Sequence, residues 1–582
     1  MRKTKIVCTL GPSTDEPGVV ADLIRKGMDV VRLNFSHGSH EGHLARMDMV
    51  RKAAGELGRH IPIMLDTRGP DIRTGQLGKG TVQLVNGQPF VLTTRPVPGD
   101  EKEVQVSYAG FPKEVKPGDR VLLSDGFIQL VVEKVVNTDV ICKVVYGGEL
   151  GERKGITIPG VRTALPFLSE QDVADLNFGL ENGIDIIAAS FVNCQEDVLQ
   201  IRRIVEEHNA VVYIIAKIEN QAGVTNLDDI IRVADGIMVA RGDLGVEIPT
   251  EEVPLVQKTI IDKCNRVGKP VIIATQMLES MIHSPRPTRA EASDVANAIF
   301  DGADAIMLSG ETAAGRYPLV VVETMARIAG RTEEVLPYPE LLARRAFQGN
   351  LSVTDAISYS TCAAAEDLGI STIITSTQSG STARMVSKYR PRADIVAATP
   401  IEQVARQLNL VWGVAPLVVK ETTGTDQMIE ESVNSALEAG MVKEGEMVVI
   451  TAGVPAGVAG TTNLLKVHVV AEVLLQGIGI GQGAVYGKVR LVRDPLKITD
   501  FEPGDILAAS ETNLDYMPLF QIAGAVLVEE GGLTSHSAIV GLNLNIPVVV
   551  GVEGVMEKLE EGSIVTVDTA RGQIYKGVTR VL

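Results

Sequence analysis

The run Val211-Val212-Tyr213-Ile214-Ile215-Ala216-Lys217-Ile218-Glu219-Asn220 is apolar and rich in β-branched residues until its end, where charge appears. It predicts a strand over 211–218 with an amphipathic helical stretch after it. Lys217 and Glu219 are two apart, so they leave the strand on one face. Working outward, the same pattern recurs over 5–10, 29–35, 62–66, 185–191, 236–240, 270–274 and 305–308. Ser169-Glu170-Gln171-Asp172 and Thr288-Arg289-Ala290-Glu291 have capping-box spacing, and Gly183, Gly268 and Gly302 stand where helices would end. Eight such units in one apolar region predict an α/β fold with a (β/α)8 TIM barrel, the doubly wound sheet being the alternative.

The pattern breaks between 69 and 164, where Val- and Gly-rich runs such as 120–123 and 140–145 alternate. This predicts a small β lid domain inserted after the third strand, leaving 1–68 and 165–340 for the barrel. Helix and strand alternate again over 341–472, which predicts a separate α/β domain carrying the single tryptophan, Trp412. Glycine at every second position in Gly477-Ile478-Gly479-Ile480-Gly481-Gln482-Gly483 resists helix and ordinary strand packing. A boundary is therefore expected there, with a fourth domain of mixed βα pattern over 473–582.

Apolar residues make up 45% of the 582, enough for several cores, and the formal charge is −18. An acidic chain gains nothing from phosphate counterion release, so nucleic acid is not an expected partner. No stretch reaches the roughly 18 apolar residues of a membrane span, and the run after Arg2, Lys3 and Lys5 is too short for a signal peptide. Cys8, Cys142, Cys194, Cys264 and Cys362 are scattered without zinc spacing, and buried reduced thiols are expected. These features fit a cytoplasmic enzyme.

The C-terminal strand ends of such a barrel face its active site. Those ends supply Arg32, Asn34 and Ser36; Asp66 and Thr67; Ser190; Lys217 and Glu219; Arg241, Gly242 and Asp243; Thr275; Ser309 and Glu311. Singly, each has a structural explanation: an ion pair at the mouth for Lys217 and Glu219, a helix cap for Asp243, a salt bridge for Arg32. Together, so many charges at one apolar barrel face are hard to explain by packing. The set suits phosphoryl transfer, which depends on positioning and charge neutralisation. Glu219 and Asp243 are hard oxygen ligands for Mg²⁺ or Mn²⁺, and Lys217 and Arg32 can hold a phosphoryl group. Gly242 allows a backbone N–H to approach a ligand, and Thr275 offers a hydroxyl.

Ala216-Lys217-Ile218-Glu219-Asn220, Met238-Val239-Ala240-Arg241-Gly242-Asp243-Leu244-Gly245-Val246-Glu247 and Asp66-Thr67-Arg68-Gly69-Pro70-Asp71-Ile72-Arg73-Thr74-Gly75 resemble pyruvate kinase signatures. So do Arg32-Leu33-Asn34-Phe35-Ser36-His37-Gly38 and Ala274-Thr275-Gln276-Met277-Leu278-Glu279-Ser280-Met281, and the likeness runs in order from residue 4 to about 470. The resemblance implies transfer from phosphoenolpyruvate to ADP, giving pyruvate and ATP. It implies Lys217, Arg32 and Thr275 as catalytic, with Gly242 and Asp243 also on the substrate. It implies Mg²⁺ or Mn²⁺ on Glu219 and Asp243, and K⁺ on Asn34, Ser36, Asp66 and Thr67. Asn34, Phe35, Ser36, His37, Arg73 and the lid residue Lys154 would meet the nucleotide. Asp71 stands where K⁺-dependent relatives carry Glu and K⁺-independent ones Lys, so K⁺ dependence is expected. A homotetramer is implied as well.

Ser376-Thr377-Gln378-Ser379-Gly380-Ser381-Thr382 runs from a strand into a helix, and hydroxyls with free N–H groups at a helix start can hold an anion. An ordinary N-cap needs only one hydroxyl. By resemblance Ser376, Thr377, Ser379, Gly380, Ser381 and Thr382 form the effector site for a phosphorylated small molecule, with the loop 453–463 closing over it. Gly531-Gly532-Leu533-Thr534-Ser535-His536-Ser537-Ala538 resembles the phosphohistidine segment of phosphoenolpyruvate-utilising enzymes, implying a swivelling β/β/α-type fourth domain. Gly541-Leu542 replaces the usual Ala-Arg, and no phosphocarrier role is expected of His536. The rivals are a dikinase-type phosphotransferase, a metal-dependent aldolase and a catalytically dead sensor. The first lacks a nucleotide-grasping domain here, the second needs no lid, and intact Lys217, Glu219, Asp243 and Thr275 argue against the third.

Overall fold

The computed structural model describes residues 1–161, 163–345, 352–422, 424–454, 461–471, 473–481 and 483–579. The chain divides into two compact units, one of residues 1–351, 378–390 and 401–418, the other of 352–377, 391–400 and 419–582.

In the first unit the eight apolar runs are eight strands: β1 (Lys5–Thr9), β2 (Val30–Asn34), β3 (Ile63–Asp66), β4 (Ile186–Ala189), β5 (Tyr213–Ile218), β6 (Gly236–Ala240), β7 (Val271–Ala274) and β8 (Ala305–Leu308). They close in the order β1-β8-β7-β6-β5-β4-β3-β2, with parallel pairing throughout. The barrel expectation holds and the doubly wound alternative falls. Strand alternation sends Ile215, Met238 and Ile272 into the barrel interior, and Ile214, Ile237 and Ile273 into the layer beneath the helices. Ser169 and Thr288 form capping boxes with Asp172 and Glu291, and Gly268 and Gly302 end their helices in the left-handed region. Register places Asn34 beside Asp66, Asp66 beside Ala188 and Lys217 beside Met238, which brings the polar ends to one level.

Between β3 and β4 the inserted segment folds as a six-stranded sheet of Ile156–Thr157, Arg120–Leu123, Ile128–Val136, Asp139–Tyr146, Pro89–Thr93 and Glu103–Gln105, in that order. It has its own core around Phe90, Phe111, Leu130 and Val144.

Segments 378–390 and 401–418 group with the barrel, where the sequence places them in a separate domain. Polar contacts explain the grouping. Arg390 is paired with Asp304 at 2.9 Å, Lys5 Nζ donates to the Val414 carbonyl at 2.6 Å, and Asn409 donates to the Asp29 carbonyl at 2.9 Å. Trp412 is buried there, with Arg390 and Lys3 over its ring, and so belongs to the barrel unit.

In the second unit, strands Asp394–Thr399, Thr372–Ser376, Met447–Gly453 and Thr462–Val469 run side by side in that order, the last pair antiparallel. A further sheet has eight strands in the order Val473–Gln476, Gln573–Lys576, Ile564–Asp568, Ala484–Leu491, Ile506–Ala509, Ala525–Val528, Val548–Val550 and Ile478–Ile480. Within the glycine-alternating run, Ile478–Ile480 form a short strand, contrary to expectation, while Gly477, Gly481 and Gly483 lie outside it. A Cβ on Gly479 would sit 1.8 Å from the Thr569 carbonyl oxygen, and one on Gly477 2.5 Å from that of Val550. Gly477 separates two short strands with different partners, and Gly479 inside the second admits neighbouring backbone. Cys8, Cys142, Cys264 and Cys362 are buried, whereas Cys194 is only half-buried because it sits at a helix N-cap. Among the described residues no helix is long and apolar enough to cross a membrane.

Candidate functional site

The ends of β2 to β6 and the inserted sheet of the same unit line a cavity of about 750 Å³. At its floor stands a buried ion network. Lys217 Nζ lies 3.0 Å from Asp66 Oδ1, 3.0 Å from Glu219 Oε1 and 2.6 Å from Ser190 Oγ. Arg32 Nε donates to Asp66 Oδ2 at 2.6 Å, and its guanidinium also reaches Thr9 Oγ1 at 3.0 Å. Ser190 Oγ donates to the Thr67 carbonyl at 2.7 Å, and Ser190 N–H donates to Thr67 Oγ1 at 3.0 Å.

Burial opposes the charge on Lys217, but the Asp66 and Glu219 carboxylates outweigh it and hold the ammonium protonated well beyond its ordinary range. Burial likewise opposes charge on Asp66, yet Arg32 and Lys217 keep its carboxyl below the usual value. Glu219 goes the other way. Its burial is only partly offset by Lys217, and its carboxyl is pushed up to about 7. The carboxyl of Asp243 is also raised, by loss of hydration first, with Asp125 and Asp66 adding repulsion against the pull of Lys217. Phe191, with φ of 55°, turns its N–H onto Glu219 Oε2 at 2.6 Å and so fixes that carboxyl.

Two carboxyls that resist ionisation beside each other are a donor set a hard divalent cation would satisfy. Among the described residues no group of three or more His, Cys, Asp or Glu side chains is placed to hold a metal ion. A two-carboxylate site completed by water and substrate oxygens fits both observations. For a monovalent cation, Asn34, Ser36, Asp66 and Thr67 all line the cavity as oxygen donors. Asn34 Oδ1 takes the Ser36 N–H at 3.1 Å, and Asp71 is paired with Arg73.

His37, Arg73 and Lys154 line the same cavity. Burial and the neighbouring Arg73, Arg68 and Arg32 lower the basicity of His37. Three expected residues are placed differently. Phe35 is buried in the barrel core and stacks on His43 with ring centroids 4.0 Å apart, so its side chain is not presented to the cavity. Gly242 N–H donates to Thr275 Oγ1 at 2.7 Å, and that hydroxyl donates to the Ala274 carbonyl at 2.6 Å. Thr275 and Gln276 both have positive φ, and this turn carries the hydroxyl under the start of the helix Arg241–Glu247. Arg241 is drawn aside by Asp294 at 2.7 Å and the Thr275 carbonyl at 2.9 Å, while Glu311 holds the N–H groups of Ser309 and Leu278.

Sequence reading missed Asp125, Glu152 and Glu247, which also line the cavity. The first two come from turns of the inserted sheet, where nothing in a linear pattern says which way a turn faces. Glu247 closes a quoted motif and could have been singled out as a carboxylate four residues after Asp243.

Ser376 and Thr382 are buried, and Ser376 Oγ is 2.8 Å from Ser432 Oγ. Gly380 caps the helix Ser381–Ser387 with φ of 76° and without a side-chain hydrogen bond, which leaves Thr377, Ser379 and Ser381 as the half-buried hydroxyls of the segment. Of the loop expected to close over it, residues 455–460 lie outside the described residues. His536 begins the helix His536–Leu544. Its Nδ1 lies 2.9 Å from Thr512 Oγ1, and its buried Nε2 has no hydrogen-bond partner.

Family models described as "Pyruvate kinase, barrel domain", "Pyruvate kinase, alpha/beta domain" and "PEP-utilising enzyme, mobile domain" match residues 1–322, 355–468 and 501–572. Pyruvate kinases of Bacillus licheniformis and Geobacillus stearothermophilus are 50% and 49% identical over the whole of both chains. A pyruvate kinase crystal structure from Cryptosporidium parvum matches with a TM-score of 0.76 and 41% identity, covering 80% of this chain and 96% of that one.

Proposed function

The chain belongs to the pyruvate kinase family, a phosphotransferase that makes pyruvate and ATP from phosphoenolpyruvate and ADP in glycolysis, and from that premise we propose how its residues divide the work. The observation that carries the division is the buried network of Lys217, Asp66, Glu219 and Arg32 at the cavity floor. Lys217, held protonated by Asp66 and Glu219, lies against the phosphoryl group in flight and neutralises charge that grows on its oxygens. Arg32, fixed by Asp66 and Thr9, binds the same group from the neighbouring strand. A divalent ion on Glu219 and Asp243 supplies charge neutralisation for substrate oxygens. Asn34, Ser36, Asp66 and Thr67 offer oxygens to K⁺.

Phosphoryl passes from the enol oxygen of phosphoenolpyruvate to a terminal oxygen of ADP, and the enolate left behind takes a proton on carbon. Thr275, bonded to Gly242 N–H, is assigned to order the proton path to that carbon. Asn34, Ser36, His37, Arg73 and Lys154 receive the nucleotide, with Phe35 contributing backbone only. The 69–164 lid excludes water, which would otherwise accept the phosphoryl. The four-part division of the chain stands as the frame of this reading. A phosphorylated effector at the Ser376 to Thr382 segment, a homotetrameric assembly and a cytoplasmic setting complete it.

A coupled assay for pyruvate with phosphoenolpyruvate and ADP, run with and without Mg²⁺, and in K⁺ against a tetraalkylammonium salt, tests the reading. Turnover that needs Mg²⁺ and rises strongly in K⁺ is expected. Equal rates in both monovalent salts would remove the K⁺ site.

A further inference from the structure

The inserted lid leaves the barrel through Thr67, Arg68 and Gly69, and that turn is held twice. From the cavity floor, Ser190 Oγ donates to the Thr67 carbonyl at 2.7 Å and Ser190 N–H donates to Thr67 Oγ1 at 3.0 Å. Gly69 has φ of 75°, and a Cβ there would stand 3.0 Å from both the Ser190 Cβ and the Phe191 ring. No side chain fits at that point, so the turn lies directly against the two residues that meet Lys217 and Glu219. The second hold comes from Asp172, whose Oδ1 accepts the N–H groups of Arg68 and Gly69 at 3.1 and 3.2 Å. Asp172 is fully buried, and its other oxygen accepts the Ser169 N–H at 3.0 Å and the Ser169 hydroxyl at 2.6 Å.

Ser169 caps the helix Glu170–Glu181, which follows the inserted segment. A capping box asks only that the carboxylate meet the cap residue. The Oδ1 atom of Asp172 does more. It joins the point where the lid leaves the barrel to the helix that follows its return, 103 residues apart in the chain. Beyond Gly69 the chain enters the lid beside Lys154. Arg73 bridges to Gly155 in antiparallel fashion, the Thr74 N–H donates to the Lys154 carbonyl at 2.8 Å, and the Lys154 N–H donates to Thr74 Oγ1 at 2.8 Å. Arg73 and Lys154, both on the cavity wall, are thus carried on backbone a few residues out from the turn that Asp172 holds.

We propose that Asp172 is a positioning residue for phosphoryl transfer: by pinning the Arg68 and Gly69 amides to the helix Glu170–Glu181, it fixes the root of the lid and so sets Arg73 and Lys154 against Lys217. This deepens the division of work given above and rests on it, in assigning Arg73 and Lys154 to the nucleotide and the lid to water exclusion. Asp172 touches no reacting atom in this role. Phosphoenolpyruvate meets Lys217 and Arg32 on the floor, which keep their own partners when Asp172 is lost. The nucleotide cations lose their fixed root.

The test compares the full-length wild type with Asp172→Ala, Asp172→Asn and Ser169→Ala. Asp172→Asn keeps an acceptor oxygen, and Ser169→Ala weakens the helix cap while leaving Asp172 on the turn. Hydrogen exchange of the Arg68 and Gly69 amides should speed up about 10-fold or more in Asp172→Ala, as for loss of hydrogen bonds to a charged group. It should speed up by less in Asp172→Asn and stay unchanged in Ser169→Ala. In the coupled assay Asp172→Ala should raise KM for ADP about 10-fold, with KM for phosphoenolpyruvate within about twofold. Pyruvate should also form in excess of ATP, because a misplaced lid admits water. Neither readout depends on the fraction of enzyme that folds. Unchanged exchange at Arg68 and Gly69 overturns the proposal. So does an equal rise in both Michaelis constants, or the same rise in KM for ADP in Ser169→Ala, which would leave Asp172 a helix cap alone. If Asp172→Ala does not fold, Asp172→Asn against Ser169→Ala decides on the same readouts. Wild-type enzyme that already forms pyruvate in excess of ATP would defeat the water-excluding reading of the lid, while exchange at Arg68 and Gly69 would still judge Asp172.

Discussion

The floor of the barrel cavity and the His536 cluster of the second unit both put polar side chains where an apolar fold would rather have none, and they do so in opposite ways. On the floor, each donor of Lys217 meets Asp66, Glu219 or Ser190, and Asp66 is shared with Arg32. At His536, one ring nitrogen meets Thr512 and the other, though buried, meets nothing. Burying a charge costs several kcal/mol per ion, so a compensated network marks a place where charge is needed. An imidazole and two hydroxyls impose no comparable demand. The contrast separates a reaction centre from a fold element that carries a suggestive residue.

The sharpest way to break the comparison is Asp66→Ala. It leaves Arg32 and Lys217 buried without their shared partner, and losing one member of such a pair costs about 3–5 kcal/mol. Denaturant unfolding should show a stability loss of that order, and activity should vanish with it. A loss under about 1 kcal/mol would mean that the floor is not a coupled network.

Lys217→Met tests the chemistry and spares the fold, since Met fills a similar volume. Removing a group that neutralises charge in the transition state costs about 10²–10³ in kcat. Turnover near that of the wild type would displace Lys217 from its assigned role.

A smaller effect concerns pH. The Glu219 carboxyl is raised by burial to about 7, above its value in an unfolded chain. Its proton therefore stabilises the fold fully at low pH, and that stabilisation fades as pH rises through about 7. A divalent ion replaces the proton over the same interval. The rise in thermal midpoint on adding Mg²⁺ should be larger at pH 8 than at pH 6. An equal rise at both values would take Glu219 out of the metal site.

The smallest expected effect is none. His536→Ala should leave kcat and KM unchanged, because transfer from phosphoenolpyruvate to ADP has no step for a histidine. Incubation with ³²P-labelled phosphoenolpyruvate should give no acid-labile label. Stoichiometric label lost in the variant, together with lost turnover, would erase the distinction between the two regions.

All eight barrel strands could be read from sequence because each is a short apolar run ended by polar residues, and the register then brings those ends together without further information. Lys217 and Glu219 were readable for the same reason: their two-residue spacing fixes a common face. Phe35 stands apart because it interrupts a polar motif. An aromatic side chain there follows the strand's alternation into the core, where it stacks on His43. In segments 378–390 and 401–418, Arg390 and Asn409 reach barrel groups 86 and 380 residues away in the chain, contacts that no local pattern shows. The strand Ile478–Ile480 was not read because glycine's poor strand propensity was weighed and the crowding that calls for glycine was not. That crowding comes from Val550 and Thr569, which no local window contains.

The order of the last sheet has a consequence for how the chain is made. Its two outer strands, Val473–Gln476 and Ile478–Ile480, are consecutive in sequence, yet Val473 pairs with Tyr575 and Ile480 with Val548. A nascent chain leaving the ribosome therefore carries this stretch unpaired until its partners have been synthesised. At about 5–20 residues per second the wait lasts several seconds, long compared with the folding of a local hairpin. During that interval an exposed Leu474-Leu475 edge is open to pairing with other chains. Expression at lower temperature, or with a holdase chaperone present, should raise the soluble yield more for the full chain than for one ending before Val473.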